Sequence, residues 1–197
     1  ILSAWKVGDI KANSQYKADF MLINMFLAQN LIHNSSVYKV KKFLNLGSSC
    51  IYPRDAQQPI KETSFMQGQL EETNEGYSLA KISAIKLGNF YREQYGLNFI
   101  SLMPPNLYGP NDSFDLEVCH VLSALVKRFY DAKINNDQTV KLWGTGSATR
   151  EFMHVDDLAD ACIYFMKNYE NKNILNVGWG IDISIKDLAE KIKLKTG

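Results

Sequence analysis

Residues 42–46 and 98–103 read as short apolar strands, and the stretch between them ends in one helix-length run, about 74–95. Strand, helix, strand in that order is a crossover unit, which restricts the first half of the chain to a parallel sheet covered by helices. Asn74 supplies a cap for that helix and Gly96 a stop. Upstream, Phe20, Ile23, Leu27 and Leu31 recur at helical spacing within residues 17–34, which predicts a second covering helix. The first strand runs out at Gly47-Ser48-Ser49 and the second at Pro104-Pro105, since proline cannot donate to a ladder. Open α/β sheets bind ligands beyond the carboxyl ends of their strands. Chemistry is therefore expected at those two ends.

Beyond Pro110 the pattern changes. Val118, Val121, Leu122, Leu125, Val126 and Phe129 make a helical stripe, and residues 139–142 read as a strand leading into the loop Trp143-Gly144-Thr145-Gly146. Residues 151–155 look extended, with Asp156 capping a helix whose apolar stripe is Leu158, Ala161, Cys162, Phe165 and Met166. Residues 174–177 are a further strand, and Ser184 with Asp187 forms a capping box that opens the last helix. These signals put a change of domain near residue 110.

The chain has 197 residues and a formal net charge of +1, enough length for a real core and no charge argument for nucleic acid or membrane. No apolar run approaches the ~20 residues that cross a bilayer, and the first residues lack the regions of a signal peptide. Three cysteines, Cys50, Cys119 and Cys162, show no metal-ligand spacing, so a reducing, cytoplasmic setting is expected.

Tyr77 and Lys81, four residues apart on a helix, point the same way. An ammonium beside a phenol favours phenolate, so such a tyrosine can give and take a proton near neutral pH. Ser48, at the end of the preceding strand, can hydrogen-bond the same carbonyl oxygen. Cys50 follows the strand in a serine-rich turn, where a function outweighs the usual core role of a cysteine. His120 lies opposite the apolar stripe of its helix and, from the helix alone, is a solvated surface histidine. His33 reads as a surface residue near a helix end and His154 as packed in a short strand. Arg128 can snorkel or bind a phosphate, Trp143 can be core or stack on a base or sugar, and Arg150 can pair structurally or touch substrate.

Four segments carry a resemblance: Gly47-Ser48-Ser49-Cys50-Ile51-Tyr52-Pro53, Tyr77-Ser78-Leu79-Ala80-Lys81, Asn106-Leu107-Tyr108-Gly109-Pro110 and Arg150-Glu151-Phe152-Met153-His154-Val155-Asp156-Asp157. Together they resemble the GDP-L-fucose synthase branch of the extended short-chain dehydrogenases/reductases. The resemblance implies an α/β fold: a partial, Rossmann-like, doubly wound parallel sheet in residues 1–110, with a smaller α/β, mainly substrate-binding region in 111–197. No Gly-x-x-Gly-x-x-Gly or Gly-x-Gly-x-x-Gly occurs in the chain, so the glycine-rich unit of that fold is expected outside these residues.

By the same resemblance, Ser48, Tyr77 and Lys81 form a catalytic triad, and Cys50 with His120 epimerises C-3 and C-5 of a GDP-4-keto-6-deoxy sugar before reduction at C-4. Leu46, Gly47, Ser48, Ser49, Tyr77, Lys81, Pro104, Pro105, Asn106, Leu107 and His120 line NADP(H). Arg128, Trp143 and Arg150 hold the GDP-sugar, and the two covering helices near 17–34 and 74–95 make a homodimer. Departures from the pattern are Asp9 for a second glycine, Pro105 for a small hydroxyl residue and Ser123 for a proline. Two alternatives stay open: a catalytically incompetent GDP-sugar-binding remnant, or a paralogue with only the reductase or only the epimerase activity, on a GDP-heptose for example.

Overall fold

The computed structural model describes residues 1–8, 10–116 and 119–197. After a short helix α1 (Ile10–Gln15) come α2 (Lys17–Val37), β1 (Phe43–Leu46), α3 (Glu75–Tyr95) and β2 (Phe99–Met103). The second half adds β3 (Asn106–Tyr108), α4 (Val121–Asn135), β4 (Thr149–His154), α5 (Val155–Asn168), β5 (Leu175–Asn176), β6 (Asp182–Ser184) and α6 (Ile185–Thr196).

β1 and β2 pair in parallel from Phe43 opposite Phe99 to Leu46 opposite Leu102, and β5 extends the sheet beyond β2. A parallel bridge from Leu2 to Asn45 continues the sheet past β1. Strand side chains alternate between faces, so Phe43 and Phe99 pack with Ala28 and Ile32 of α2 and Ala84 of α3. Leu44, Ile100 and Leu102 pack on the other face with Leu158 and Cys162 of α5. All five residues of β2 are buried, as a parallel strand covered on both sides requires. The expected doubly wound, Rossmann-like sheet is present, with Gly96 ending α3 in the left-handed conformation at φ 72°.

The buried face of α2 differs from the expected one. Phe20, Asn24, Ala28 and Ile32 point inward, whereas Ile23 and Leu31 are exposed. Apolar side chains lie all round this helix, so spacing alone does not choose a face. Close approach to α3 chooses it: Ala28 and Ala84 meet in the core, and a Cβ on Gly88 would sit 2.1 Å from the Phe99 ring. Buried Asn24 adds a second constraint, accepting from the Lys6 amide at 2.7 Å and donating to the Lys6 carbonyl at 2.9 Å.

The second sheet has the order β3-β4-β6, parallel between β3 and β4 and antiparallel between β4 and β6. Leu125 of α4 and Leu188 and Ala189 of α6 form its core, joined by Phe152 and Ile183. The capping box is realised, since Ser184 Oγ accepts from the Asp187 amide at 3.0 Å. Residues 139–142 form no strand. The helix after β4 is capped by His154, whose Nδ1 accepts from the Asp156 amide at 3.2 Å, and not by Asp156. β4 runs straight into that helix, which leaves Asp156 in the first turn, where its charge favours the dipole.

The chain does not stay in the second sheet. It leaves the first after β2, builds β3 and β4, and returns through α5 and β5. Asn176 anchors the return: it accepts from the Tyr52 hydroxyl at 2.5 Å, and its amide donates to Glu62 at 2.9 Å. Among the earlier expectations, Asp9 and Val118 lie outside the described residues.

Candidate active site

The ends of β1 and β2 are locked together. The Gly47 amide donates to Leu102 O at 2.8 Å and the Ser49 amide to Pro104 O at 3.2 Å. A Cβ on Gly47 would fall 2.3 Å from the Met103 sulfur, so a larger residue there would have to displace the end of that side chain. Ser48 then caps a 3-10 turn, Ser49–Ile51, with Oγ accepting from the Cys50 amide at 3.2 Å. Buried Ser78 of α3 donates to Cys50 O at 2.9 Å and pins the turn to the helix. Sequence patterning passed over Ser78, because a serine between Tyr77 and Lys81 carries no signal until the turn is folded against it.

Tyr77 and Lys81 face this turn from α3. Lys81 is 2% exposed; its Nζ donates to Leu46 O at 2.6 Å and lies 5.4 Å from the centre of the Tyr77 ring. Burial pushes the Lys81 ammonium down to about 6, against an upward electrostatic influence of Cys50. Burial raises the Tyr77 phenol well above its ordinary range and the Cys50 charge adds to this, while the hydrogen bond with Ser48 pulls it back. Burial thus works against the phenolate that a neighbouring ammonium would favour. Tyr77 stands as a protonated phenol hydrogen-bonded with Ser48, an arrangement able to donate a proton to an oxygen that gains charge.

Pro104 is buried behind the turn, with half-buried Pro105 next in the chain. The Asn106 amide side chain donates to Glu151 O at 3.1 Å, and Leu107 packs into the core under α5. In these two stretches Ser48 Oγ caps the turn, while the Asn106 and Leu107 side chains are engaged in structural contacts.

The other predicted residues sit on the second unit. Arg128 stacks on Trp143, its guanidinium 4.8 Å from the ring centre, and donates to Lys141 O at 3.2 Å. Asp131, Ala132, Asp137, Thr139, Val140 and Lys141 complete a shallow cleft of about 320 Å³ with them. Arg150 is exposed and, among the described residues, bonds only the neighbouring Thr149 carbonyl, at 2.7 Å. His120 is exposed at the start of α4, and its ring makes no hydrogen bond among the described residues. Buried Ser123, one turn on, donates to Asp112 and ties the loop before α4 to the helix. His33 bonds the Tyr91 hydroxyl at 2.9 Å and His154 meets the Tyr108 ring edge-on, so both serve structure.

Residues 1–178 match the family model described as the NAD dependent epimerase/dehydratase family. The chain is 51% identical to GDP-L-fucose synthase 1 of Arabidopsis thaliana over all of its own length, but spans only 61% of that relative. A solved GDP-6-OMe-4-keto-L-xylo-heptose reductase from C. jejuni superimposes with a TM-score of 0.93 at 34% identity, over 99% of this chain and 67% of that one. The GDP-mannoheptose C4 reductase MlghC of Campylobacter jejuni, solved with NADP bound, gives 0.89 at 35% identity, over 99% and 68%. The serine, tyrosine and lysine gathered at the strand ends, on a doubly wound sheet of this topology, agree with that match. The chain belongs to the NAD-dependent epimerase/dehydratase family.

Proposed function

We propose that this chain forms the catalytic and sugar-binding part of an NADPH-dependent epimerase-reductase acting on a GDP-4-keto-6-deoxy sugar. The observation that carries this is the cluster of Ser48, Tyr77 and Lys81 at the carboxyl ends of two parallel strands. The similarity to a GDP-L-fucose synthase and to C4 reductases of GDP-heptoses supports the substrate class.

The donor set fits a nicotinamide dinucleotide. Lys81 Nζ is bonded to Leu46 O and, in its protonated form, has further N–H groups to offer the hydroxyls of a ribose, with Ser48 and Ser49 at the strand end beside it. When bound, that cofactor supplies hydride at C-4 of the sugar. Tyr77, a protonated phenol, delivers the proton to the ketone oxygen, and Ser48 steadies the same oxygen by a hydrogen bond. The protons at C-3 and C-5 flank the ketone, so removing either one gives an enolate that the same pair holds. Cys50, in the turn beside Tyr77, and His120, at the mouth of α4, take and return those protons from opposite sides. Arg128 and Trp143 receive the GDP moiety, guanidinium to diphosphate and indole to base or sugar.

A second reading, reduction without epimerisation, is favoured by the position of His120, exposed and unbonded among the described residues. Turnover of GDP-4-keto-6-deoxymannose with NADPH in D2O separates the two. Deuterium at C-3 and C-5 that is lost in Cys50→Ser, with C-4 reduction retained, supports the epimerase-reductase. Reduction without any deuterium incorporation leaves the reductase alone. Failure to bind NADPH, read by nicotinamide fluorescence, overturns both and leaves a GDP-sugar-binding remnant.

The α2/α3 face is the surface for a second copy of the chain. Met25, Ala28, Leu87 and Phe90 line an open apolar groove of about 550 Å³, and Leu22, Phe26 and Phe90 are each about half exposed beside it. Light scattering of Phe26→Glu tests this, with a monomer expected where the parent is a dimer.

A further inference from the structure

Lys81 has an unusual neighbour. The face of the Trp5 indole lies 3.7 Å from Lys81 Nζ, closer than the Tyr77 ring at 5.4 Å. No carboxylate pairs with Lys81 among the described residues. The groups that act on it are the Cys50 thiol from the turn after β1, the Tyr77 phenol on its own helix and the Leu46 carbonyl. An ammonium out of reach of water and of any carboxylate has only a carbonyl dipole and a π face to offset its desolvation.

The segment that carries Trp5 is held at both ends. On one side Leu2 donates to Leu44 O at 2.8 Å and accepts from the Leu46 amide at 3.1 Å, which fixes it against β1. On the other, buried Asn24 grips both backbone groups of Lys6. Trp5 is strung between these anchors and packs against the cluster of Ala28, Ala84 and Phe99. Its own Nε1 is buried without a partner among the described residues, so packing and the contact with Lys81 orient the ring.

We propose that Trp5 is a positioning residue for Lys81: its indole face and the Leu46 carbonyl together hold Nζ beside Tyr77 in place of water and favour its protonated form. Asn24 acts one step behind by fixing the Lys6 backbone. This rests on the assignment of Lys81 to the hydride site. The π face stabilises the charged lysine, so it counters the downward push of burial. A leucine at position 5 keeps an apolar side chain there and loses the aromatic face.

The test is an NMR titration of the Lys81 side chain in the lysine-labelled chain, its signal assigned by loss in Lys81→Arg. Trp5→Leu is expected to lower the Lys81 pKa by about one unit, and Trp5→Phe to restore most of it. Incorporation of tetrafluorotryptophan at position 5 preserves shape and weakens the π face, and is expected to shift the lysine the same way. An unchanged or raised Lys81 pKa in the fluorinated protein overturns the proposal, whatever the leucine variant does to folding. Lys81→Met in the GDP-sugar reduction assay tests the underlying assignment separately. Full activity there removes Lys81 from the hydride site while leaving the titration result to judge Trp5.

Discussion

The two halves of the site are built by different means. At the ends of β1 and β2 every group is fixed by backbone: Gly47 and Ser49 bond across to Leu102 and Pro104, Ser48 caps a turn, and Ser78 pins the turn to α3. On the second unit, Trp143 is 67% exposed, Arg150 bonds only its neighbour, and His120 has no ring partner among the described residues. Under the proposed function, the first half is preorganised for a proton and hydride whose positions are exacting, and the second, a set of long side chains over a shallow cleft, gathers a large polar nucleotide.

The contrast is sharpest for Tyr77. Replacing it with phenylalanine removes one hydroxyl that bonds Ser48, so kcat for GDP-4-keto-sugar reduction should fall about 10²–10⁴-fold while KM and thermal stability barely move. A rise in KM with kcat intact would place Tyr77 among the substrate-gathering residues and break the comparison. Next in size is packing. Gly88→Ala drives a Cβ into the Phe99 ring, 2.1 Å away, and should cost about 1–3 kcal/mol in urea unfolding.

A third effect concerns pH. Folded Lys81 titrates near 6 and the unfolded side chain near 10.5, so between these values the unfolded chain binds more protons. Stability from this group therefore rises with pH through that window, by about 2 kcal/mol from pH 6 to pH 8, and Lys81→Met should flatten the rise. In the second half, Gly144 has open space around it but φ +69°, and Gly144→Ala should cost only about 1 kcal/mol, as strain. The smallest change is Trp143→Ala, expected to raise KM for the GDP-sugar about fivefold with kcat and melting unchanged.

Sequence made the first half legible because local signals there agree with tertiary structure. The strand ends, Gly96, and the Tyr77–Lys81 spacing all mean the same thing before and after folding. The face of α2 was not legible, since Ile23, Leu27 and Leu31 satisfy the helical period as well as Phe20, Asn24, Ala28 and Ile32 do. Only the close approach of Ala28 and Ala84 decides between them. The protonation of Tyr77 was likewise hidden, because it depends on burial that no local pattern shows. Three-residue strands such as β3 and β6 carry too few side chains for a period of two to show. Arg128 and Trp143 were recognisable as residue types, but their stacking follows from a loop whose path no local pattern dictates.

The return of the chain from the second unit to complete the first sheet has a consequence for biosynthesis. Leu175 and Asn176 leave the ribosome long after β2, so the nascent chain carries an unpaired edge of Leu102 and Met103 while the whole β3–β4 pair is being made. A long wait before a distant pairing is entropically slow and leaves the edge open to other chains. Translation speed across α4 to α5, and the holding chaperones present meanwhile, will therefore set the yield of soluble protein.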